Sequence, residues 1–586
     1  MENRMKGKFV QIVALCLSVA LLLALGGGQG AAAAPYGASG RIIRVGLHYG
    51  TGAMEGLNME NSVGSGYRFG YYDSSNQFVE LGSTAQRAIS VVKTMNVYYG
   101  TYDKYTCYHS ALTSSSVAVG EYHLQLPGSY GTFAEAQAAA SLYGGGFPAC
   151  IGGVYYARIG NYTTRDRAVA AQAELSAQGV WAELCGTSGY GVSVVVTGTN
   201  TMVFQYDDLG SGTGLGIEPG QVNTGEKCAT LSKGYLYYGG FRFERIDGGD
   251  LTVVNILGLE DYVKGVVPIE MSDSWPIEAL KAQAVAARSY ALSLGSKHSR
   301  HHFDICAETD CQAYGGLNRA GANSNAAVDQ TAGLVVTYNG QIAHTCYYAS
   351  NGGASENSSV VYETSQANHP YLIGKIDPYE AGAPIPSSSY YWTRSFSSDT
   401  LVSKLRALGY NVSGAITSIA VTALTETGNP KTVTFTDSSG KSYSISTKNV
   451  IQKMLYLPSY RYGFDTVGQG NPAPSSSVSI NGSPAGGLSG LYAIDGNGNV
   501  TAVDGGAYMI TDSGVAQVGQ SSGGSGGSVG SLSSTTGSNG TFTFSGTGWG
   551  HNVGMSQWGA YAMAQQGYTY LDILQFYYTG ITVGYM

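Results

Sequence analysis

The chain has 586 residues, long for one hydrophobic core, and at roughly 150 residues per domain it implies several units. Charged residues are 12% of the sequence, while glycine numbers 85 and tyrosine 45, a balance closer to exported wall or carbohydrate-associated proteins than to cytosolic enzymes. A formal net charge of −8 argues against broad electrostatic capture of DNA, RNA or anionic lipid, so no nucleic-acid partner is expected and any anion must be met by a few local cations.

Arg4, Lys6 and Lys8 precede an apolar run from Phe9 to about Leu25, followed by small residues with an Ala-x-Ala pattern near Ala32 to Ala34. Residues 1–34 read as an export signal, with a retained membrane anchor as the alternative because the run approaches the ~17 residues that span a bilayer. Either way the body of the protein is expected outside the cytoplasm, wall- or membrane-associated, with membrane attachment only through an uncleaved N-terminal segment. Cys16 lies inside the run. The seven others, Cys107, Cys150, Cys185, Cys228, Cys306, Cys311 and Cys346, cannot all pair within one chain.

From Ile42 the text is strand-like (IIRVGLHYG, then FVEL) with glycine and serine punctuation over residues 40–121. Between 122 and 184 the pattern predicts a β-α-β-α-β unit: HLQLPGSY, the helix TFAEAQAAASL, GGVYYARIGNY, a second helix TTRDRAVAAQAELSAQG opened by Thr163 or Thr164, and VWAEL. Its phrase YYARIGNYTTRDRAVAAQAEL resembles the second half of SPOR domains, whose members bind peptidoglycan glycan stripped of stem peptides; a generic small α/β insertion is the alternative. Residues 185–467 form the expected core, with strands in YLYYGGFRFERIDGGDLTVVNILGLEDYVKG leading to VVPIEMSDSWPIEALKAQAVAARSYAL.

In that last stretch Glu270 follows Pro268 on a loop entering a helix from about Pro276 to Leu292, with Ser274 as cap and Pro276 in the first turn. Ile277, Leu280, Ala284 and Ala287 are expected to face a core. Lys281 and Arg288, seven residues apart, stand on one stripe of the helix. Further on, ITSIAVTAL, KTVTFTD and YSIST read as strands, and SSDTLVSKLRALGY and TKNVIQKML as helical pieces. Residues 468–540 are mostly Gly, Ser, Ala and Asn, a linker or surface insertion in which SGLYAIDGNGNVTAVDGGAYMITDSG can form short hairpins. Order returns over 541–586 with the closing motif.

Four blocks in order, LEDYVKGVVPIEMSDSWPIEALKAQAVAARSYAL, FDICAETDCQAYGG, CYYASNGGASEN and GTGWGHNVGMSQWGAYAMAQQGYTYLDILQFYYTGITV, resemble the SpoIID/LytB family of bacterial cell-wall proteins. The resemblance spans roughly residues 40 to 586. It implies a mixed α+β multidomain fold: a strand-rich core with a helix carrying the catalytic motif, plus the SPOR-like insertion. Sporulation members of the family are lytic transglycosylases, which implies cleavage of the MurNAc-GlcNAc bond of amidase-denuded glycan with Glu270 as the acid-base residue. Glu278, Glu260, Asp261, Glu308 and Asp310 offer no obvious second carboxylate, which a hydrolase needs and a transglycosylase does not. For that role burial must raise the pKa of Glu270, so Lys281 and Arg288 should not touch it and are assigned instead to the lactyl carboxylate of denuded glycan.

The closing motif supplies Trp549 and Trp558 for stacking, and His551, Ser556 and Gln557 for hydrogen bonds to hydroxyls and acetamides; Ser350 and Asn351 are the polar candidates of YYASNGG. The family form reads His-Gly where this chain has His551-Asn552, a mild departure because asparagine tolerates positive φ. His301, His302, Cys306 and Cys311 match a zinc cluster of some family members, with a Cys306–Cys311 disulfide as an equal alternative. No cofactor is required for the chemistry. Rival readings are a non-catalytic glycan-binding protein or amidase enhancer, and a glycoside hydrolase with a hidden second acid.

Overall fold

The computed structural model describes residues 40–112, 115–220, 227, 229–465 and 540–586, together with short strand segments between 478 and 535. The expected export signal, Cys16, Cys228 and most of the Gly/Ser-rich segment lie outside the described residues. The fold is mixed α+β and strand-rich, and the chain divides into Met1–Tyr262 with Ser299–Asp304, and Val263–His298 with Ile305–Met586. Among the described residues no helix is long and apolar enough to cross a membrane.

In the first unit, the alternation in Ile42–His48 buries Ile43 and Val45 while its backbone pairs antiparallel with Thr252–Gly258. That sheet continues through Gly240–Glu244, Leu215–Pro219, Tyr67–Tyr72 and Phe78–Thr84. A second sheet contains the 122–185 segment, which folds as β-α-β-β-α-β: Tyr122–Gln125, helix Phe133–Ala140, Gly146–Ile151, Val154–Tyr162, helix Arg165–Ala177 and Glu183–Cys185. Both helices start where their caps predict. Thr132 and Glu135 form a reciprocal capping box, and the Thr164 hydroxyl accepts from the Arg167 amide.

The strand Gly146–Ile151 is absent from the sequence expectation, because its Gly146 and Pro148 disguise a buried strand as a loop. With it, the spatial order is Glu183–Cys185, Tyr122–Gln125, Val154–Tyr162, Gly146–Ile151, and the sheet runs on through Met202–Asp207 and Val192–Val196. One face is closed by a small core of Leu124, Leu126, Ala140, Ala157, Ile159 and Ala182.

The second unit is organised on the helix Ile277–Leu294, which buries Ala279, Leu280, Ala282, Gln283, Ala284, Val285, Ala286, Ala287, Ala291 and more. Six of those are alanines, so neighbouring elements approach closely on all sides, and its buried surface is far wider than the one-sided stripe expected. Helices Ala322–Gln330, Gln557–Gln565 and Tyr570–Tyr577 and the strand Leu334–Tyr338 pack around it. Strands Ile416–Leu424, Pro430–Asp437 and Ser442–Ser446 form an antiparallel sheet as read from sequence. The chain's end returns to this unit: Thr541–Thr547 lies between Tyr391–Ser397 and Arg461–Asp465, and Thr582–Tyr585 pairs with Leu334–Tyr338. Between them, Tyr492–Ile494 pairs with Val500–Ala502 and Tyr508–Thr511 with Gly514–Gln517, the short hairpins the sequence allowed.

Candidate functional site

Glu270 is the last residue of the helix Leu259–Glu270, not part of a loop as the sequence suggested. Pro268 sits inside that helix, where its missing N–H and ring weaken the final turn and favour termination. The following helix begins after Pro276, which caps it without a side-chain bond, and Ser274 instead meets the Ser272 hydroxyl at 3.0 Å. Two influences act on the Glu270 carboxyl. Burial raises its pKa above the usual glutamate value, and the Gln557 side chain, donating Nε2–H to Oε2 at 2.8 Å, opposes that rise.

Gln557 opens the helix Gln557–Gln565, capped by the Ser556 hydroxyl on the Gly559 amide. The next residue, Trp558, meets Trp275 with ring centroids 4.5 Å apart, and Tyr561 closes the cluster at 5.1 Å from Trp275 and 5.5 Å from Trp558. Sequence reading passed over Trp275 and Tyr561, although Trp275 stands only five residues after Glu270. The only available signal was an aromatic residue beside a catalytic motif.

The two cations of the helix do not reach Glu270, in keeping with its raised pKa, but they do not form an open anion site either. Lys281 pairs with Glu278 at 2.8 Å and stands 5.9 Å over the Tyr570 ring. Arg288 is fully buried and donates to the Leu334 carbonyl at 2.9 Å, so its guanidinium serves the core and is closed to a glycan carboxylate. This corrects the substrate role given to Arg288: the shared stripe of Lys281 and Arg288 is not a solvent-facing one.

Parallel pairing of Tyr347–Tyr348 with Met555–Ser556 brings two distant blocks of sequence together. Here the structure revises further assignments. Ser350, Asn351 and Ser556 are all wholly buried and hydrogen-bonded inside the protein, so they do not face a ligand. Ser350 Oγ donates to Glu380 at 2.6 Å, the Asn351 and Gly352 amides reach the same carboxylate at 2.8 and 2.9 Å, and Ser556 Oγ at 2.5 Å. Asn351 Nδ2 and the Tyr577 hydroxyl donate to Asp377 at 2.6 and 2.5 Å. Burial and the neighbouring Asp377 push Glu380 up to about 7. Asp377 is itself raised, chiefly by burial. A Cβ on Gly559 would overlap the Tyr577 hydroxyl, so glycine is what lets this helix abut the pair.

Trp549 is 47% exposed while its backbone bridges to Ser350, leaving its ring open to a ligand. His551 lies against Tyr348 with ring centroids 5.2 Å apart, its Nδ1 accepting from the Val553 amide at 3.1 Å. Burial lowers its pKa to about 4, so it is neutral at ordinary pH. Asn552 adopts φ 60°, the left-handed conformation that the His-Asn substitution required, and donates to the Asn351 and Ala354 carbonyls.

Cys306 and Cys311 converge with His298 and Asp310, their ligand atoms all within 4.8 Å of one another. His298 Nε2 lies 3.2 Å from Cys311 Sγ and 3.3 Å from Asp310 Oδ2. Two sulfurs, an imidazole and a carboxylate make a four-donor set of the type zinc takes, and the donors belong to one unit. His301 and His302 are not among them: His302 bonds Glu244 at 2.7 Å, and His301 packs on Tyr49 with ring centroids 5.1 Å apart. His298 was missed because its eight-residue separation from Cys306 fits no short ligand spacing, whereas the chain turn at Ser299–His301 closes it.

The family model described as Stage II sporulation protein matches residues 247–338, which include Glu270 and the helix after it. An amidase enhancer of Bacillus subtilis strain 168 is 31% identical over 322 residues, 55% of this chain and 40% of the relative. The chain thus spans less than half of that relative's length. An uncharacterized protein of Brachyspira hyodysenteriae is 31% identical over 352 residues, 60% of this chain and 73% of the relative. Stage II sporulation protein D of Bacillus amyloliquefaciens is 25% identical over 345 residues, 56% of this chain and 75% of the relative. With the matched segment carrying Glu270 and the helices on either side of it, the chain belongs to the SpoIID/LytB family.

Proposed function

We propose that this protein is an exported peptidoglycan lytic transglycosylase that cleaves the MurNAc-GlcNAc bond of glycan strands freed of stem peptides, in sporulation or wall remodelling. The observation that carries the reading is the Glu270 carboxyl, raised by burial and held by the Gln557 amide at 2.8 Å, with no second carboxylate bonded to it among the described residues. A hydrolase places a second carboxyl ~5 to 10 Å away to act as nucleophile or to activate water. A transglycosylase needs one. Glu270 donates its proton to the departing GlcNAc oxygen as the bond to the muramic acid C1 breaks. The resulting carboxylate takes the proton of the C6 hydroxyl as O6 bonds to C1, giving a 1,6-anhydro end and restoring the acid. The Gln557 amide fixes the carboxyl's orientation, and Trp275, Trp558 and Trp549 offer faces for sugar rings.

The β-α-β-β-α-β order of residues 122–185 supports the reading of that segment as a SPOR-like glycan-binding unit. Such a unit and the Glu270 site would select the same amidase-processed strand. Zinc at His298, Cys306, Asp310 and Cys311 would be structural, holding the segment after the central helix and taking no part in the chemistry. Metal analysis of the purified chain, with loss of thermal stability on chelation that is absent in Cys311→Ser, tests it.

A second reading, a glycan-binding amidase enhancer without cleavage, is favoured by the name of one relative. Mass spectrometry of amidase-denuded glycan incubated with the protein separates the two. Anhydro-ended products, ~18 Da below hydrolytic ones, that vanish in Glu270→Gln establish the transglycosylase. Reducing-end products would identify a hydrolase, and intact strands that remain bound would identify the binding protein.

A further inference from the structure

Glu380 and Asp377 are two buried carboxylates with no lysine or arginine paired to either among the described residues. Burying acids without a cation is costly, and the expense is offset only when every lone pair is met. That is the case at Glu380. Each of its oxygens accepts two hydrogen bonds, Oε1 from Ser350 Oγ and the Gly352 amide, Oε2 from the Asn351 amide and Ser556 Oγ. Three of those donors come from the YYASNGG loop and the fourth from the residue that caps the helix Gln557–Gln565. Asp377 braces the arrangement from behind, accepting from the Tyr379 and Glu380 amides at 2.9 and 3.1 Å as well as from Asn351 and Tyr577.

Resting on the lytic reading of Glu270, we propose that Glu380 is a positioning residue: it clamps Ser556 to the YYASNGG loop and thereby holds the Gln557 amide on the Glu270 carboxyl. The route is short and continuous. Ser556 is anchored by Glu380, caps the helix through Gly559, and is followed directly by Gln557, whose Nε2 meets Glu270. Backbone pairing of Tyr348 with Ser556 leaves the clamp little slack. The groups facing Glu380 are Asp377, Tyr348, Tyr390 and Tyr577; burial and Gln557 are what act on Glu270.

The clamp has a consequence that packing alone lacks. A donated N–H favours the charged form of Glu270, so releasing Gln557 moves the Glu270 titration upward, by about one pH unit for one lost bond. The test is the carbon-13 titration of the Glu270 carboxyl in the full chain, identified by its loss in Glu270→Gln, for wild type, Gln557→Ala, Glu380→Gln and Ser556→Ala. In parallel, the pH dependence of kcat on denuded glycan reports the same group. The expected result is an upward shift of similar size in all three variants, with Glu380→Gln adding nothing to Gln557→Ala, and a matching upward move of the alkaline limb of kcat. If Glu380→Gln does not fold, Ser556→Ala severs the same link while keeping the acid. An unmoved Glu270 titration in folded Ser556→Ala or Glu380→Gln, where Gln557→Ala does shift it, overturns the proposal, as does no shift in Gln557→Ala. A wild-type chain that does not cleave glycan sinks the lytic reading, and the titration still decides the clamp.

Discussion

Glu270 and Glu380 lie in the same unit, both largely buried and both with pKa values raised chiefly by burial, yet their surroundings differ in one respect. Glu380 has its four acceptor positions filled by the protein, while Glu270 accepts one amide hydrogen bond among the described residues. A saturated carboxylate is a joint between segments. An under-saturated one can exchange a proton with a substrate oxygen at little structural cost. Burial is common to the two acids; what differs is the number of protein donors already committed to each.

The sharpest way to break this contrast is to neutralise each acid. Glu270→Gln should lower cleavage of denuded glycan by about 10²–10⁴-fold, the usual worth of a positioned acid-base group, while the melting temperature stays close to wild type. Unchanged cleavage would remove Glu270 from the chemistry. Glu380→Ala should do the reverse in kind, destabilising the fold by about 3 kcal/mol as its donors lose their acceptor inside the protein, measured by denaturant unfolding. A loss below ~1 kcal/mol would mean that water replaces the carboxylate there.

His551, packed on the Tyr348 that faces Glu380, sharpens the comparison through pH. Its folded pKa is lowered from 6.5 to about 4, so the unfolded chain binds its proton more readily. Stability from this group is full above pH 6.5 and is lost as pH falls toward 4, on the order of 3 kcal/mol. His551→Gln should flatten that acid limb of the unfolding curve. Glu380 has the opposite sign, its folded pKa being raised from 4.5 to about 7: its contribution is full below 4.5 and is lost as pH rises through 7. The smallest effect belongs to the aromatic wall on the Glu270 side. Trp558→Ala should weaken binding of denuded glycan by about five- to ten-fold, read by calorimetry with Glu270→Gln as the uncleaving background. An unaltered affinity would assign that ring to packing against Trp275.

Much of the site was legible before the fold. Glu270 stood out as an acid beside a proline and an alanine-rich helix. The start of the second helix of the 122–184 unit, expected at Thr163 or Thr164 and found at Thr164, followed from capping chemistry that acts within four residues. Gln557 was found as a polar residue of the closing motif, but its partner was not, because a separation of 287 residues between Gln557 and Glu270 leaves no local trace of the contact. Asp377 and Glu380 were missed for the same reason. GKIDPYEAG reads as an ordinary polar turn, and only the packed unit shows that its two acids receive Ser350, Asn351 and Ser556.

By itself the sequence determined the features that rest on neighbours along the chain: the mixed α+β class, most strands and helices, the family motifs, and Glu270 as the acid to watch. Tertiary structure alone decided which polar side chains are consumed inside the protein. It turned Arg288 inward to the Leu334 carbonyl, drew His298 rather than His301 and His302 to the two cysteines, and converted Ser350, Asn351 and Ser556 from sugar contacts into the donors of a buried acid. The physical reason is that a serine or asparagine satisfies its hydrogen bonds with whatever donor or acceptor packing brings within about 3 Å, and composition carries no record of that partner.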